Sequence, residues 1–248
     1  MNRNKLKLND EKTELLAVGD TRRLSQVSRE PLQLGEHHVP FQPSAKYLGV
    51  YVDESLSMSQ HISHLCRSCF YHLRKIGTIR PFLSEGSTSK LVSSLILSRL
   101  DYCNSVLSGL PSTSLQRLQK VQNCAAKVTL RKRKRDHVTP LLKHLHWLPI
   151  EARIEYKVAT LAFRHFEHSL PPYLSAELQV YQPSRTLRSS NQRLLKIPTT
   201  KLKSYGNRSF SYQAPVIWNS LPESLRNSTS LCAFKANLRT YLFNKHLT

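Results

Sequence analysis

The period of the apolar positions changes near residue 57. Before it, Thr13–Val18 is a short apolar run closed by Gly19-Asp20, and Tyr47-Leu48-Gly49-Val50-Tyr51-Val52 follows Pro43 with many aromatic and β-branched residues. Such runs read as strands. Pro31, Gly35, Pro40 and Pro43 leave room between them only for short strands or loops. From Ser57 onward, Ile62, Leu65, Cys66, Cys69, Phe70, Leu73 and Ile76 recur at helical steps. This spacing predicts an amphipathic helix ending near Gly77. Ser87–Leu107 predicts a second helix. Leu115, Leu118, Val121, Gln122 and Ala125 predict a third beyond Gly109 and Pro111, and the three form a small bundle. Pro149–His168, with Pro149 near N1 and Ile154, Val158, Leu161 and Ala162 on one stripe, predicts another helix. A last one runs over about Leu231–Leu242. Residues 171–230 hold six prolines and many serines, which predicts loops and short elements. The fold class expected is mainly α with a small β portion at the N-terminus (α+β).

Length and charge sharpen this. The 248 residues can bury one large core or two modest ones. Lys and Arg number 37 against 16 Asp and Glu, a formal charge of +21. Such an excess self-repels in the compact state unless a polyanion offsets it, and nucleic acid leads the candidates ahead of anionic membrane. Residues 1–57 carry 8 basic and 8 acidic side chains, residues 58–125 carry 8 and 2, and residues 126–248 carry 21 and 6. The basicity therefore belongs mainly to the second half. The longest near-apolar run, Leu91–Leu97, falls far short of the ~20 residues of a membrane span. Five cysteines (Cys66, Cys69, Cys103, Cys124, Cys232) form an odd, sparse set unlike a disulfide framework. They point to free thiols in a reducing compartment, nuclear or cytoplasmic.

Few constellations suggest chemistry. His61, His64, Cys66 and Cys69 are four metal-ligand types within nine positions. They lie on a continuous helix, and both cysteines fall on its apolar stripe, so packing is the preferred reading. His137, His144 and His146 beside Trp147 are read the same way. No nucleophile elbow or glycine-rich phosphate loop is present. Two-metal phosphoryl transfer needs clustered carboxylates, but Asp10, Asp20, Asp53, Asp101 and Asp136 are scattered, and Asp53-Glu54 reads as surface charge. Neither a catalytic centre nor a metal site is expected. The basic run Arg131-Lys132-Arg133-Lys134-Arg135, with Lys127, is the candidate phosphate-binding element; a solvated charge run or import signal is the alternative. Tyr181 with Arg185 and Arg188, and Tyr205 with Arg208, Phe210 and Tyr212, read either as base-stacking groups or as loop anchors.

An ordered series of strings resembles the reverse transcriptases of LINE-type (non-LTR) retrotransposons. Leu6-Lys7-Leu8-Asn9-x2-Lys12-Thr13-Glu14 looks like their palm motif D, and Tyr47-Leu48-Gly49-Val50-x2-Asp53 like motif E, the primer-grip hairpin. Ser98-Arg99-Leu100-Asp101-Tyr102-Cys103-Asn104 and Leu118-Gln119-x-Val121-Gln122-Asn123-x-Ala125-Ala126 are similar to thumb strings. Leu145-His146-Trp147-Leu148-Pro149-Ile150-x2-Arg153-Ile154 and Trp218-Asn219-x-Leu221-Pro222 resemble the C-terminal region. The series spans nearly the whole chain in the family's order.

The resemblance implies a palm remnant over 1–57, a thumb-like bundle over 58–130 and a basic C-terminal domain over 131–248. The family's magnesium-binding aspartates precede motif D, so the expectation is a truncated element copy or a gene model of its tail, inactive alone as an RNA-directed DNA polymerase. Magnesium is the cofactor of the full-length family enzyme, and none is expected to act here. In the family the motif D lysine, matched by Lys12, is thought to assist proton transfer to pyrophosphate, and the primer grip, matched by Leu48 and Gly49, holds the primer end. The residual activity expected is sequence-nonspecific binding of RNA or DNA through the phosphate backbone, without membrane attachment. The alternatives are a non-functional fragment, or a subunit that docks on a separately encoded fingers and palm piece.

Overall fold

The computed structural model describes residues 9, 12–35, 37–183 and 193–247. It is mainly helical with two small antiparallel sheets near the N-terminus, the fold class expected. Contacts divide the chain into two compact units at His64/Leu65, and residues on both sides of position 130 belong to the second. Among the described residues no helix is long and apolar enough to cross a membrane.

In the first unit, a short helix α1 (Thr21–Leu24) precedes two hairpins, β1 (Leu32–Leu34) with β2 (His37–Val39) and β3 (Ser44–Tyr47) with β4 (Val50–Asp53). The segment Tyr47–Val52, expected as one strand, instead reverses at its centre. Leu48 (φ 46°) and Gly49 (φ 84°) both take positive φ between the paired Tyr47 and Val50. Two such residues make the tight turn whose twist matches the flanking strands. The apolar run Thr13–Val18 does not become a strand. It makes a single parallel bridge, Leu15 to Phe41, with the Gln42 amide donating to the Leu15 carbonyl at 2.7 Å.

Asp53 is not the surface charge expected. It is 8% exposed and accepts from the Ser57 amide (2.8 Å), the Ser55 hydroxyl (2.8 Å) and the Ser57 hydroxyl (3.0 Å). Burial alone would raise its pKa, but these donors together lower it. This network closes the turn that leads into helix α2 (Ser59–Ile79). The helix passes through Gly77, where an end was expected.

In the second unit, α2 is followed by a 3₁₀ turn (Arg80–Phe82) and a helical run built from α3 (Glu85–Val92), a π turn (Ser93–Leu97) and α4 (Ser98–Asp101). Ser84 caps this run by accepting from the Ser87 amide at 3.1 Å, so the helix begins before Ser87. It also ends before Leu107: Cys103 turns left-handed (φ 51°), and Asn104–Leu107 forms a separate 3₁₀ turn packed on a later helix. Asn104, 4% exposed, reaches across to the Arg153 carbonyl at 3.5 Å, and its own Oδ1 has no hydrogen-bond partner. An unsatisfied buried amide oxygen costs about 1–3 kcal/mol.

The remaining elements are α5 (Ser112–Thr129), α6 (Thr139–His144), α7 (Ile150–Phe166), α8 (Pro172–Ser175), α9 (Lys203–Gly206), α10 (Phe210–Asn219), α11 (Glu223–Arg226) and α12 (Leu231–Leu247). Helix α7 is the hub. It packs on α5, α10 and α12 and buries Ile154, Val158, Ala159, Ala162 and Phe163. Phe163 stacks on Phe234 at 4.4 Å, and Trp218 packs beside Phe166 at 5.1 Å; Phe163, Trp218 and Phe234 are fully buried. Helix α10 lies in the stretch expected to hold only loops and short elements. It runs ten residues with Pro215 inside, and Ala214, Pro215 and Trp218 form its buried side. Packing on α7 thus outweighs the local cost of proline in a helix.

Candidate nucleic-acid interface

Helix α5 ends without a glycine. Arg131 takes the left-handed position (φ 50°), its amide donates to the Val128 carbonyl at 3.4 Å, and the Lys132 amide donates to the Lys127 carbonyl at 2.9 Å. These two bonds form a Schellman cap. The basic run therefore does not prolong the helix but folds back across its end. The Lys127 ammonium donates to the Lys134 carbonyl at 2.5 Å, and Asp136 accepts from the Arg133 amide at 2.7 Å. The negative end of the helix dipole makes this a favourable place for cations.

Two arginines tie this end to the turn after α2. Arg80, 8% exposed, donates to the carbonyls of Val128 (3.0 Å), Thr129 (2.7 Å) and Leu83 (2.6 Å). The Arg131 guanidinium donates to the carbonyls of Arg80 (3.1 Å) and Pro81 (3.0 Å). Between the two segments lies a groove of about 640 Å³. Six cations line it, Arg80, Lys120, Lys127, Arg131, Lys132 and Lys134, together with Phe70 and Cys124, and no carboxylate. Lys120, Lys132 and Lys134 are exposed and make no ion pair among the described residues. A groove of one charge sign focuses the field on whatever enters it.

Of the sequence candidates, Lys127, Arg131, Lys132 and Lys134 meet in this groove, while Arg133 and Arg135 are exposed outside its lining. Arg80, Lys120 and Phe70 escaped sequence reasoning. Phe70 belongs to the apolar spacing of α2 but is 36% exposed, while its neighbour Cys69 takes the fully buried position. Tyr181 is exposed, and Tyr205, Phe210 and Tyr212 are half-buried; Arg185 and Arg188 lie outside the described residues.

The motif D-like residues sit in the first unit. Asn9 accepts from the Lys12 amide at 3.2 Å through Oδ1, while its carbonyl accepts from the Thr13 hydroxyl at 3.0 Å. Glu14 accepts from the Lys46 amide at 3.0 Å, fastening this segment to β3. Leu6, Lys7, Leu8 and Asp10 lie outside the described residues. Tyr47, Leu48 and Gly49 form the exposed tip of the second hairpin. Asp53 is held by serines, Asp101 pairs with Arg153 at 2.7 Å, and Asp136 accepts from Arg133.

The His–Cys set on α2 does not converge. His64 stacks on Tyr51 at 4.2 Å, His61 is buried, and Cys69 is fully buried. Burial, with the neighbouring His64, lowers the His61 pKa, and burial pushes the Cys69 thiol up to about 11. Among the described residues no group of three or more His, Cys, Asp or Glu is arranged to hold a metal ion. His144 ends α6, and His146 is the left-handed residue of its cap (φ 52°). Comparison with protein-family models, curated proteins and solved structures finds no match.

Proposed function

We propose that this chain binds RNA or DNA without sequence preference, holding the phosphate backbone in the groove between the end of α5 and the 80–83 turn. The observation that carries this reading is the groove's lining: six cations, no acid and one accessible aromatic ring. Phosphate neutralisation by such a surface is strong and sequence-blind, and an exposed ring adds sequence-tolerant stacking on a splayed base. The rigid clasp of Arg80 and Arg131 fixes the loop that presents Lys132 and Lys134, so little ordering entropy is lost on binding. The ordered strings that resemble LINE-type reverse transcriptases support the same reading, with the chain corresponding to the palm end, thumb and C-terminal region. Polymerase activity by the chain alone is not proposed, since the family's metal-binding motifs are not among the matched strings.

Fluorescence anisotropy with single-stranded and duplex oligonucleotides tests this. About four phosphate contacts weaken binding roughly 50- to 150-fold between ~50 and ~200 mM salt. Affinity that ignores salt, or no binding of either strand form at low salt, overturns the proposal.

A further inference from the structure

A second pocket, of about 340 Å³, shares no lining residue with the groove. It forms where the segment ending in Asp101 and Asn104 meets α7 and α12. Helix α7 presents Arg153, Tyr156 and Lys157 on one face, at positions i, i+3 and i+4, and α12 adds Arg239. Three cations therefore face one carboxylate, and that carboxylate, Asp101, is already paired with Arg153 at 2.7 Å.

The two arginines are positioned rather than loose. Arg153 Nε donates to the Leu148 carbonyl at 2.8 Å, and Arg239 Nη2 donates to the His146 carbonyl at 3.0 Å. Tyr156 contributes a half-buried ring beside Arg239. Asn104 completes the wall, its buried amide oxygen without a donor. Its amide nitrogen is turned toward the Arg153 carbonyl at 3.5 Å, which fixes the oxygen as the atom left over. Net positive charge and a flat ring together ask for a ligand with an anionic group and a planar body. The volume matches the smaller end of ligand pockets.

We propose that this pocket binds a nucleoside phosphomonoester, the phosphate held by Lys157 and Arg239 and the base lying against Tyr156. Such a group comes either from a free mononucleotide or from the phosphorylated end of a strand. Only the strand-end source rests on the nucleic-acid binding proposed above.

Calorimetric titration of the full chain with adenosine and cytidine monophosphates, with adenosine as the uncharged comparison, tests the pocket. The Lys157→Gln/Arg239→Gln variant alters two exposed side chains, and its melting temperature is checked against the parent. Monophosphates bind the parent, adenosine binds more weakly, and the variant loses at least about tenfold in affinity. A Lys132→Gln/Lys134→Gln variant of the groove keeps full nucleotide affinity. Oligonucleotides with a 5′-phosphate or a 5′-hydroxyl then separate the sources. Preference for the phosphate that disappears in the pocket variant assigns the strand end, and no preference assigns the free nucleotide. No monophosphate binding at millimolar concentration, equal binding of adenosine, or an equal loss in the groove variant overturns the proposal. Loss of salt-sensitive strand binding alone overturns the groove reading and leaves this one standing.

Discussion

Arg80 and Arg131 hold each other's main chain. The guanidinium of Arg80 donates to the carbonyls of Val128 and Thr129, just before Arg131, while that of Arg131 donates to the carbonyl of Arg80 itself at 3.1 Å. Arg80 reaches the last carbonyls of α5, where helix acceptors run short of intrahelical partners, and it shares Val128 with the Arg131 amide; Arg131 shares the Arg80 carbonyl with the Leu83 amide. The arrangement uses two charges without a carboxylate, which keeps the groove beside it wholly basic.

Arg80→Ala removes three charge-assisted bonds at a buried site. It lowers stability by about 3 kcal/mol, read from urea unfolding. Arg80→Lys recovers less than half, because an ammonium cannot span three carbonyls as a planar fork does. Full recovery by lysine would show that charge alone, and not the fork, holds the two segments.

Glu155 ties α7 to the end of α12, meeting Lys245 at 2.9 Å and His246 at 3.3 Å. Burial pushes its pKa up, but the bonds to His246 and Lys245 outweigh this and lower it below the ordinary 4.5. A carboxylate depressed on folding binds fewer protons in the folded state, so its contribution is complete above 4.5 and fades as pH falls through the lowered value. Glu155→Gln therefore costs about 1 kcal/mol at pH 7. The melting curves of variant and parent converge as the pH drops below 4.5, and a constant gap would contradict this.

Three helices, α5, α6 and α7, close with a non-glycine residue in the left-handed position: Arg131, His146 and His168. At the end of α7 the amides of His168 and Ser169 donate to the carbonyls of His165 (3.1 Å) and Arg164 (3.0 Å), the Schellman pattern again. His168→Gly relieves the Cβ strain and raises stability by about 0.5–1 kcal/mol. Arg131→Gly relieves the same strain but loses the guanidinium bonds, so it lowers stability. Thermal melts of the two variants shift in opposite directions.

Cys124 lines the groove and is exposed, Cys232 is exposed elsewhere, and Cys69 is buried with its thiol pushed up to about 11. A thiol reagent at pH 8 labels Cys124 and Cys232 quickly and Cys69 only on unfolding. Bound oligonucleotide slows labelling at Cys124 and leaves Cys232 unchanged. Equal protection of both sites would place the strand elsewhere.

The long helices were legible because each carries a regular apolar stripe over several turns, as Ile62, Cys69, Leu73 and Ile76 do on α2. Their ends were less so. Sequence punctuation is read from glycine, yet Gly77 lies inside α2, and the caps of α5, α6 and α7 use Arg131, His146 and His168. Helix α10 was hidden by Pro215, whose burial with Trp218 is a tertiary effect that no local window carries. The charged half of the groove was visible as the 131–135 run. Its other half was not, since Arg80 stands about fifty residues away and meets the end of α5 only in the folded chain, through its bonds to Val128 and Thr129.

The π turn at Ser93–Leu97 lies one short helix before Asp101. A π turn is an α-helix holding one residue more than its pitch accommodates, so everything after it is rotated by about 100° relative to an uninterrupted helix. Asp101 meets Arg153 only in that rotated frame. Deleting a single residue within 93–97 would take out the surplus one and restore a regular helix with the carboxylate still facing its arginine. The pocket is thus keyed to a helical phase set several residues upstream: straightening the π turn with no residue removed would turn Asp101 away from Arg153.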